Sequence, residues 1–228
     1  MKTILVLVQS SNQSPYDAML EKQKNTWNLI SIDGVSTIFY YGSLDIENNT
    51  LNDDVLILKT SDINYNRTFK LKLALDFIWN MKWDYIIRTN SSSYIDKKRL
   101  LNKIQALPEN KCFFGKTVAD CISGIGMIFS RDVVDILRKN IDSSLENNSD
   151  HDDVMVAHIL KSNDIPIIGD GSLVFYNHDC NFTDFINSIS LTDTDPYCYR
   201  CRPNCAIDQN RHKDLEAFEN LFNFLKNT

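Results

Sequence analysis

Four consecutive small polar residues, Asn90 to Ser93, follow a predicted strand in the middle of the chain. Apolar residues 85–87 precede them, and two more, at 94–95, come directly after. Ligands of open α/β sheets bind at the carboxyl ends of the strands, so an amide and three hydroxyls placed there can hydrogen-bond a sugar or a phosphate. They are poor ligands for Mg²⁺ or Mn²⁺, because these ions favour anionic oxygens. The alternative interpretation is a polar turn that only joins a strand to a helix.

Two acidic residues, Asp152 and Asp153, stand directly before the apolar stretch 154–160. Carboxylates in the first turn can cap a helix and interact favourably with its dipole. One of them can instead act as a general base that takes a proton from a hydroxyl as it attacks an anomeric carbon. The local sequence alone does not choose between these interpretations.

A pair of glycines, Gly124 and Gly126, flanks Ile125 after Ser123. Glycine lets the backbone approach a ligand closely, and it also permits a bulge before a strand. The segment is not a dinucleotide-binding fingerprint, because a third glycine is missing and no helix follows directly.

The C-terminal part of the chain is rich in cysteine, with Cys198, Cys201 and Cys205 preceded by Cys180 and His178. Thiolates and an imidazole could bind zinc, although the spacing supplies only half of a zinc motif. Free thiols and a disulfide are the alternatives. One hypothesis for the function of the chain is therefore an interaction protein that zinc stabilises through these cysteines.

Three arginines, Arg200, Arg202 and Arg211, lie in the same region. The planar guanidinium group is suited to a diphosphate, because it donates paired hydrogen bonds to phosphate oxygens. The alternative is solvated charge on the protein surface.

Hydrophobic periodicity predicts that strands and helices alternate along most of the chain. The predicted strands are residues 4–8, 35–41, 55–58, 84–88, 112–115 and 126–130. The predicted helices are residues 16–28, 67–81, 97–104, 132–138, 152–162 and 213–226. This alternation indicates βαβ units, and therefore an α/β fold in which a mixed, mostly parallel central sheet is flanked by helices.

The length of 228 residues fits one α/β domain, with 43% hydrophobic and 24% charged residues. The net charge of −6 argues against a nucleic-acid partner. The apolar run at residues 4–8 is shorter than the core of a signal peptide, and no run has the ~20 apolar residues of a membrane span. We therefore expect a soluble, cytoplasmic protein.

In their order along the chain, these segments resemble the inverting β1,3-galactosyltransferase and Fringe-like glycosyltransferases, which have the GT-A fold. The resemblance rests on Asn25-Thr26-Trp27, Phe39 to Gly42, Asp62 to Lys70, residues 85–100, Phe114-Gly115, residues 121–130, Asp152 to Val154 and His178. It covers roughly residues 4–180.

The resemblance implies a single GT-A-like (Rossmann-like) domain over residues 1–180. The Cys-containing segment 181–228 and its final helix would pack on that same domain. It also implies transfer of a sugar, of the hexosyltransferase type, from a nucleotide-sugar donor such as a UDP-sugar to a glycan or other hydroxyl acceptor, with inversion. A non-catalytic module that binds a sugar nucleotide or a glycan on the same scaffold is the alternative.

The same resemblance implies roles for individual residues. Asp153 would be the base, with Asp152 beside it. Outside the resemblance, the chemistry of the guanidinium group leads us to expect that Arg200 and Arg202 contact the diphosphate. The implied donor-binding residues are Gln9, Ser10, Lys24, Lys70, Arg88, Asn90, Ser91, Ser92 and Gly124.

The chain departs from this family at its metal site. Asn90, Ser91 and Ser92 occupy the positions of three carboxylates that hold Mn²⁺ in the family. We therefore expect no required cofactor, with cationic side chains neutralising the diphosphate. The alternatives are an inactive site or a weakly bound Mn²⁺ or Mg²⁺, for which His178 is a further possible ligand.

Overall fold

The structure of the protein, a computed structural model, describes residues 1–62, 66–141, 152–169, 173–176, 182–190, 196–201 and 211–226. Its strands are β1 Ile4–Gln9, β2 Val35–Ser43, β3 Thr50–Asn52, β4 Val55–Lys59, β5 Tyr85–Asn90, β6 Ser93–Ile95, β7 Phe113–Gly115, β8 Thr117–Val118, β9 Cys121–Ile122, β10 Met127–Ser130, β11 Ile167–Gly169, β12 Leu173–Tyr176 and β13 Cys198–Cys201. Its α-helices are α1 Tyr16–Lys24, α2 Arg67–Ile78, α3 Lys97–Gln105, α4 Arg131–Asn140, α5 Asp152–Lys161, α6 Phe182–Ser190 and α7 His212–Leu225.

A mixed eight-stranded sheet forms the centre of the molecule, in the order β11-β7-β10-β5-β1-β2-β4-β3. Strand β1 lies between β2 and β5 and is parallel to both, and β4 is parallel to β2. Strand β10 is antiparallel to its neighbours β5 and β7. The predicted mixed, mostly parallel sheet flanked by helices is therefore confirmed, and the carboxyl ends of β1, β2, β4 and β5 lie at one edge of it.

Two apolar cores cover the two faces of this sheet, because successive side chains of a strand point to opposite faces. Ile4, Val6 and Val8 of β1 belong to the first core, with residues of α1, α3 and α7. Leu5 and Leu7 belong to the second core, with residues of α2, α4 and α5. Burial on both faces explains the continuous apolar run at the start of the chain. It follows that α5 and α7 pack on opposite faces of the sheet.

A small three-stranded sheet, in the order β12-β13-β6, contributes to the first core. Strand β13 is antiparallel to β6 and places Arg200 opposite Ser93. The hydrophobic pattern predicted neither strand, because runs of three or four residues are too short to show a periodicity. This pairing brings the C-terminal part of the chain next to the residues that follow β5.

The helix boundaries differ from the prediction chiefly at α1, which ends at Lys24 and is followed by a short 3-10 helix, Trp27–Leu29. The backbone of Thr26 leaves the helical region there, and its hydroxyl donates to the carbonyl oxygen of Lys22 at 2.7 Å. Helix α6 was also not predicted. Across the described ranges, every helix is too short or too polar to pass through a membrane.

Candidate active site

A cavity of about 480 Å³ opens at the edge of the sheet where the parallel strands end. Its lining residues are Gln9, Ser10, Ser11, Tyr16, Asp62, Arg67, Lys70, Arg88, Asn90, Ser91, Ser92, Ser123, Gly124, Ile125, Asp152, Asp153, Arg200 and Arg211. This is the expected place for a ligand in an open α/β sheet. The cavity brings together all of the predicted donor-binding residues except Lys24.

Arg88, on the central strand β5, lies at the buried centre of the site. Its guanidinium donates hydrogen bonds to Gln9 Oε1, to the carbonyl oxygen of Gly124 and to Asp152 Oδ2. Arg88 is 2% exposed and Asp152 is 5% exposed. A single side chain therefore holds together two strands, the turn before β10 and the first turn of α5.

Burial and neighbouring charges determine the protonation of this buried centre. Burial acts to lower the pKa of Arg88, but the charge of Asp152, with contributions from Tyr40 and Asp153, leaves that pKa raised. Burial raises the pKa of Tyr40 to about 12. At neutral pH Arg88 is therefore a cation and Tyr40 a neutral phenol, so Asp152 is held by a permanent positive charge.

Asp153 differs from the other two carboxylates of the cavity. Asp62 is paired with Lys70, and Asp152 is paired with Arg88. Asp153 is half-buried and forms no ion pair with any residue that the structure describes. Its Oδ2 accepts one hydrogen bond, at 3.4 Å, from the backbone N–H of Gly124. A carboxylate in this state can accept a proton from a bound hydroxyl.

The close approach of the Arg88 guanidinium leaves little room for a side chain at position 124. A Cβ atom there would lie 2.7 Å from Arg88 Nη1 and 3.5 Å from Asp153 Oδ2. The first distance is shorter than a van der Waals contact allows, so any larger residue would displace the Arg88 guanidinium. The observed close approach at Gly124 is thus to the Arg88 side chain.

The pair formed by Asp62 and Lys70 organises the segment after β1. Lys70 Nζ lies 2.8 Å from Asp62 Oδ1, and the two side chains are only 4% and 5% exposed. Asp62 also accepts hydrogen bonds from Ser11 Oγ at 2.5 Å and from the backbone N–H of Gly42 at 3.0 Å. The carboxylate thus joins the ends of β1 and β2 on one side of the cavity.

The polar turn after β5 contains an internal hydrogen bond. Asn90 Oδ1 accepts from the backbone N–H of Ser92 at 3.0 Å, which is an Asx-turn. The amide of Asn90 is therefore partly a turn-forming group, as the alternative interpretation of this segment held. Asn90, Ser91 and Ser92 nevertheless all line the cavity.

Arg211, the residue directly before α7, lines the cavity. Its Nη2 donates to Ser92 Oγ at 3.0 Å, and its Nε lies 2.5 Å from Asp214 Oδ2. Both members of this ion pair are buried, at 5% and 0% side-chain exposure. The turn does not fit a divalent cation, because its oxygens are uncharged and the adjacent guanidinium would repel the ion.

The remaining predicted residues fall into three groups. Arg200 lines the cavity. Lys24 does not line it: its ammonium is 2.8 Å from Asp54, which also raises its pKa. Arg202 and His178 lie outside the described residues, as do Cys180 and Cys205.

The two described cysteines of the predicted zinc site, Cys198 and Cys201, are buried in the first core. Burial raises the pKa of Cys198 to about 12 and that of Cys201 well above its usual value. Cys198 Sγ donates to the carbonyl oxygen of Ile125. No cluster of three or more His, Cys, Asp or Glu side chains suited to a metal occurs in the portion of the chain that the structure describes.

Sequence reasoning missed four lining residues, Ser11, Tyr16, Asp62 and Arg67. Each lies at or just beyond the end of a strand or helix. That position was the only feature of the local sequence that could have indicated a place in the cavity. Arg211 was predicted only as one of a basic set, and nothing near it in the sequence indicated its contact with Ser92.

Scans of the sequence found no matching family model and no matching curated protein. The fold, however, is similar to that in a crystal structure of a glycosyltransferase involved in the glycosylation of the major capsid of PBCV-1. The TM-score is 0.55 at 13% sequence identity, over 95% of this chain and 98% of that one.

The chain has the fold of a glycosyltransferase. Because the identity is low, this similarity concerns the arrangement of strands and helices and not the side chains of the site. The similarity extends over nearly the whole chain, so it includes the C-terminal part from which Arg200 and Arg211 enter the cavity.

Proposed function

We propose that this protein is a glycosyltransferase that moves a sugar, of the hexosyl type, from a UDP-sugar to the hydroxyl of an acceptor. The fold supports glycosyl transfer in general terms. The charge of the cavity supports a diphosphate donor, because five cationic side chains line it against three carboxylates, although the whole chain has a net charge of −6. The choice of uridine rests on the resemblance of the sequence motifs.

The observation that carries this proposal is the state of Asp153. It is the one cavity carboxylate that lacks an ion pair among the described residues, and it lies at the start of α5 with its side chain in the cavity. Asp153 accepts the proton of the acceptor hydroxyl as that oxygen bonds to the anomeric carbon. The bond from this carbon to the phosphate oxygen breaks in the same step, so the configuration is inverted and the nucleoside diphosphate leaves.

The leaving diphosphate carries the negative charge that develops in this step. Arg211, which donates a hydrogen bond to Ser92, and Arg200 are the cations that would stabilise this negative charge on the side of the polar turn. Their positive charges take the part that a divalent cation has in the family that the sequence resembles. The reaction therefore requires no metal.

Turnover of UDP-sugars in the presence of EDTA tests both parts of the proposal. We expect release of UDP, by hydrolysis or by transfer to an added acceptor, at a rate that EDTA does not lower and that added Mn²⁺ changes less than about twofold. Release of UDP that depends entirely on Mn²⁺ would contradict the role of the arginines. Tight binding of UDP-sugars without any turnover would instead identify a non-catalytic binding module.

A further inference from the structure

The proposed base and the proposed leaving-group cation reach the cavity from opposite faces of the sheet. Helix α7, which begins directly after Arg211, packs through Phe218 and Leu221 in the first core. Helix α5, which contains Asp153, packs through Val156 and Leu160 in the second core. The cavity thus extends across the edge of the sheet, with the arginine on one side and the carboxylate on the other.

This arrangement determines the side from which an acceptor must come. In a direct displacement the attacking oxygen, the anomeric carbon and the leaving oxygen are roughly in line, with the nucleophile opposite the leaving group. If Arg211 holds the diphosphate, the acceptor hydroxyl approaches from the side of α5. The surface beyond Asp153 on that side is therefore where the rest of the acceptor must lie.

A second cavity, of about 340 Å³, occupies that surface; we call it the α5 groove. It is lined by Ala119, Asp120, Cys121, Val154, Ala157, His158 and Lys161. The four residues from α5 are spaced at i, i+3, i+4 and i+7, so they lie on one face of the helix. The opposite wall is the segment that includes the β8–β9 hairpin.

The α5 groove and the active-site cavity are lined by neighbouring residues of the same two segments of chain. Val154 of the groove follows Asp153 of the cavity directly, and Cys121 precedes Ser123 and Gly124 by two and three residues. After burial, the charge of Asp153 is the next cause of the raised pKa of Cys121. The carboxylate of Asp153 therefore lies at the boundary between the two spaces.

The chemistry of the α5 groove fits a sugar ring. Val154 is 52% exposed although it is aliphatic, and with Ala119 and Ala157 it offers a surface for the C–H face of a pyranose. Asp120 accepts hydrogen bonds and Lys161 donates them, which suits hydroxyls that do both. The volume is at the lower end of the range for small-molecule sites, so it has room for about one sugar unit.

We propose that the α5 groove is the acceptor subsite, and that the acceptor is a glycan with one sugar unit bound there while a hydroxyl of that unit or of its neighbour meets Asp153. This inference rests on the proposed glycosyltransferase function. It adds the chemical class of the acceptor and the face of the protein from which it binds.

Methyl NMR of the protein saturated with UDP tests the subsite without any need for turnover. Methyl hexosides and the corresponding disaccharides are titrated into protein labelled at Ala and Val methyl groups. We expect the signals of Ala119, Val154 and Ala157 to shift while that of Ala74, fully buried in the second core, stays in place. No shift with any glycan, or a shift only with a Ser/Thr-rich peptide, would overturn the proposal.

A substitution in the groove provides the second measurement. Val154→Arg places a long cationic side chain in the groove. Its matched control, Leu29→Arg, changes another exposed aliphatic residue, at 64% exposure, in the 3-10 helix Trp27–Leu29, which does not line the groove. We expect the ratio of transfer to glycan over transfer to water to fall about tenfold in Val154→Arg and to stay unchanged in the control. An equal ratio in the two variants would refute the subsite.

The two proposals fail in different ways. If the unmodified protein releases no UDP from any UDP-sugar, the proposed reaction is wrong, and the methyl titration still decides whether glycans bind in the α5 groove. If UDP is released but the groove methyls respond to no glycan, the acceptor subsite is wrong and the reaction stands.

Discussion

Arg88 and Asp152, 64 residues apart in the sequence, form an ion pair in the floor of the cavity, where both side chains are almost completely buried. The next residue, Asp153, has no such partner within the described residues and is half-buried in the same cavity. Two neighbouring carboxylates thus have different roles: the first anchors α5 to the central strand, and the second is available to a ligand.

Isosteric substitutions at these two positions are expected to affect different properties, namely stability at Asp152 and turnover at Asp153. Asp152→Asn leaves the buried guanidinium of Arg88 without a counter-charge, so the free energy of unfolding should fall by about 3 kcal/mol. Asp153→Asn should change it by less than about 0.5 kcal/mol but reduce turnover by ~100-fold or more, with UDP affinity retained. Urea unfolding and UDP release measure the two quantities. Full turnover in Asp153→Asn would remove this residue from the mechanism.

A carboxylate at position 92 is expected to pair with Arg211 and not to create a metal site. Ser92 Oγ lies 3.0 Å from Arg211 Nη2, so the carboxylate of Ser92→Asp would occupy the guanidinium nitrogen that is proposed to bind the diphosphate. UDP affinity, measured by calorimetry in EDTA, should fall at least about tenfold, and Mn²⁺ should not restore it.

The matched control is Ser91→Asp, which adds the same charge one residue earlier in the same turn. A smaller loss of affinity is expected there, since the hydrogen bond from Arg211 Nη2 goes to Ser92 Oγ. Equal losses in the two variants would show that general repulsion, and not the pairing with Arg211, weakens binding.

The serines after β1 provide a test that separates stability from binding. Ser11 Oγ donates to the buried carboxylate of Asp62 at 2.5 Å, so Ser11→Ala should lower the free energy of unfolding by about 2 kcal/mol. Ser10 Oγ is buried at the cavity and has no hydrogen-bond partner in the described part of the protein.

Ser10→Ala should therefore leave stability within about 0.5 kcal/mol while it weakens UDP binding by about fivefold, because the hydroxyl has only a ligand to bond. Thermal unfolding and calorimetry report the two effects. A large loss of stability in Ser10→Ala would indicate that the hydroxyl has a structural partner instead.

The pH dependence of stability should contain a contribution from Lys97, which is 6% exposed at the start of α3. Its ammonium donates to Asn28 Oδ1 at 2.8 Å and to the carbonyl oxygen of Ile30 at 3.1 Å, yet burial lowers its pKa from 10.5 to about 8. Between these values the unfolded chain binds more protons than the folded one, so this contribution makes the protein more stable as pH rises.

Comparison with Lys97→Met isolates this contribution, since the variant lacks the titrating group. The stability of the natural protein relative to the variant should be constant below about pH 7 and should increase from about pH 8 to about pH 10. Urea unfolding at several pH values measures it. A difference that does not vary with pH would show that Lys97 titrates normally in the folded state.

The position of the polar turn in the site could be predicted from the sequence, whereas the partners of the cationic side chains could not. Asn90 to Ser92 follow a strongly apolar strand, so their position at a ligand-binding edge follows from the strand alone. Lys24, a cationic residue at the end of a helix, was also predicted to bind the donor, but its side chain pairs with Asp54. Nothing in the local sequence distinguishes a cation that lines a cavity from one that pairs at the surface.

The sequence by itself determined the fold class and most of the central elements, because burial on one or two faces imposes a periodicity on each strand and helix. It also placed Asp152 and Asp153 at the start of α5. Only the tertiary structure decided which of them is ion-paired, and only it brought Arg211 to Ser92, 119 residues earlier. The reason is physical: periodicity is a property of neighbouring residues, whereas ion pairing across the molecule depends on the order of strands in the sheet and on the face against which each helix packs.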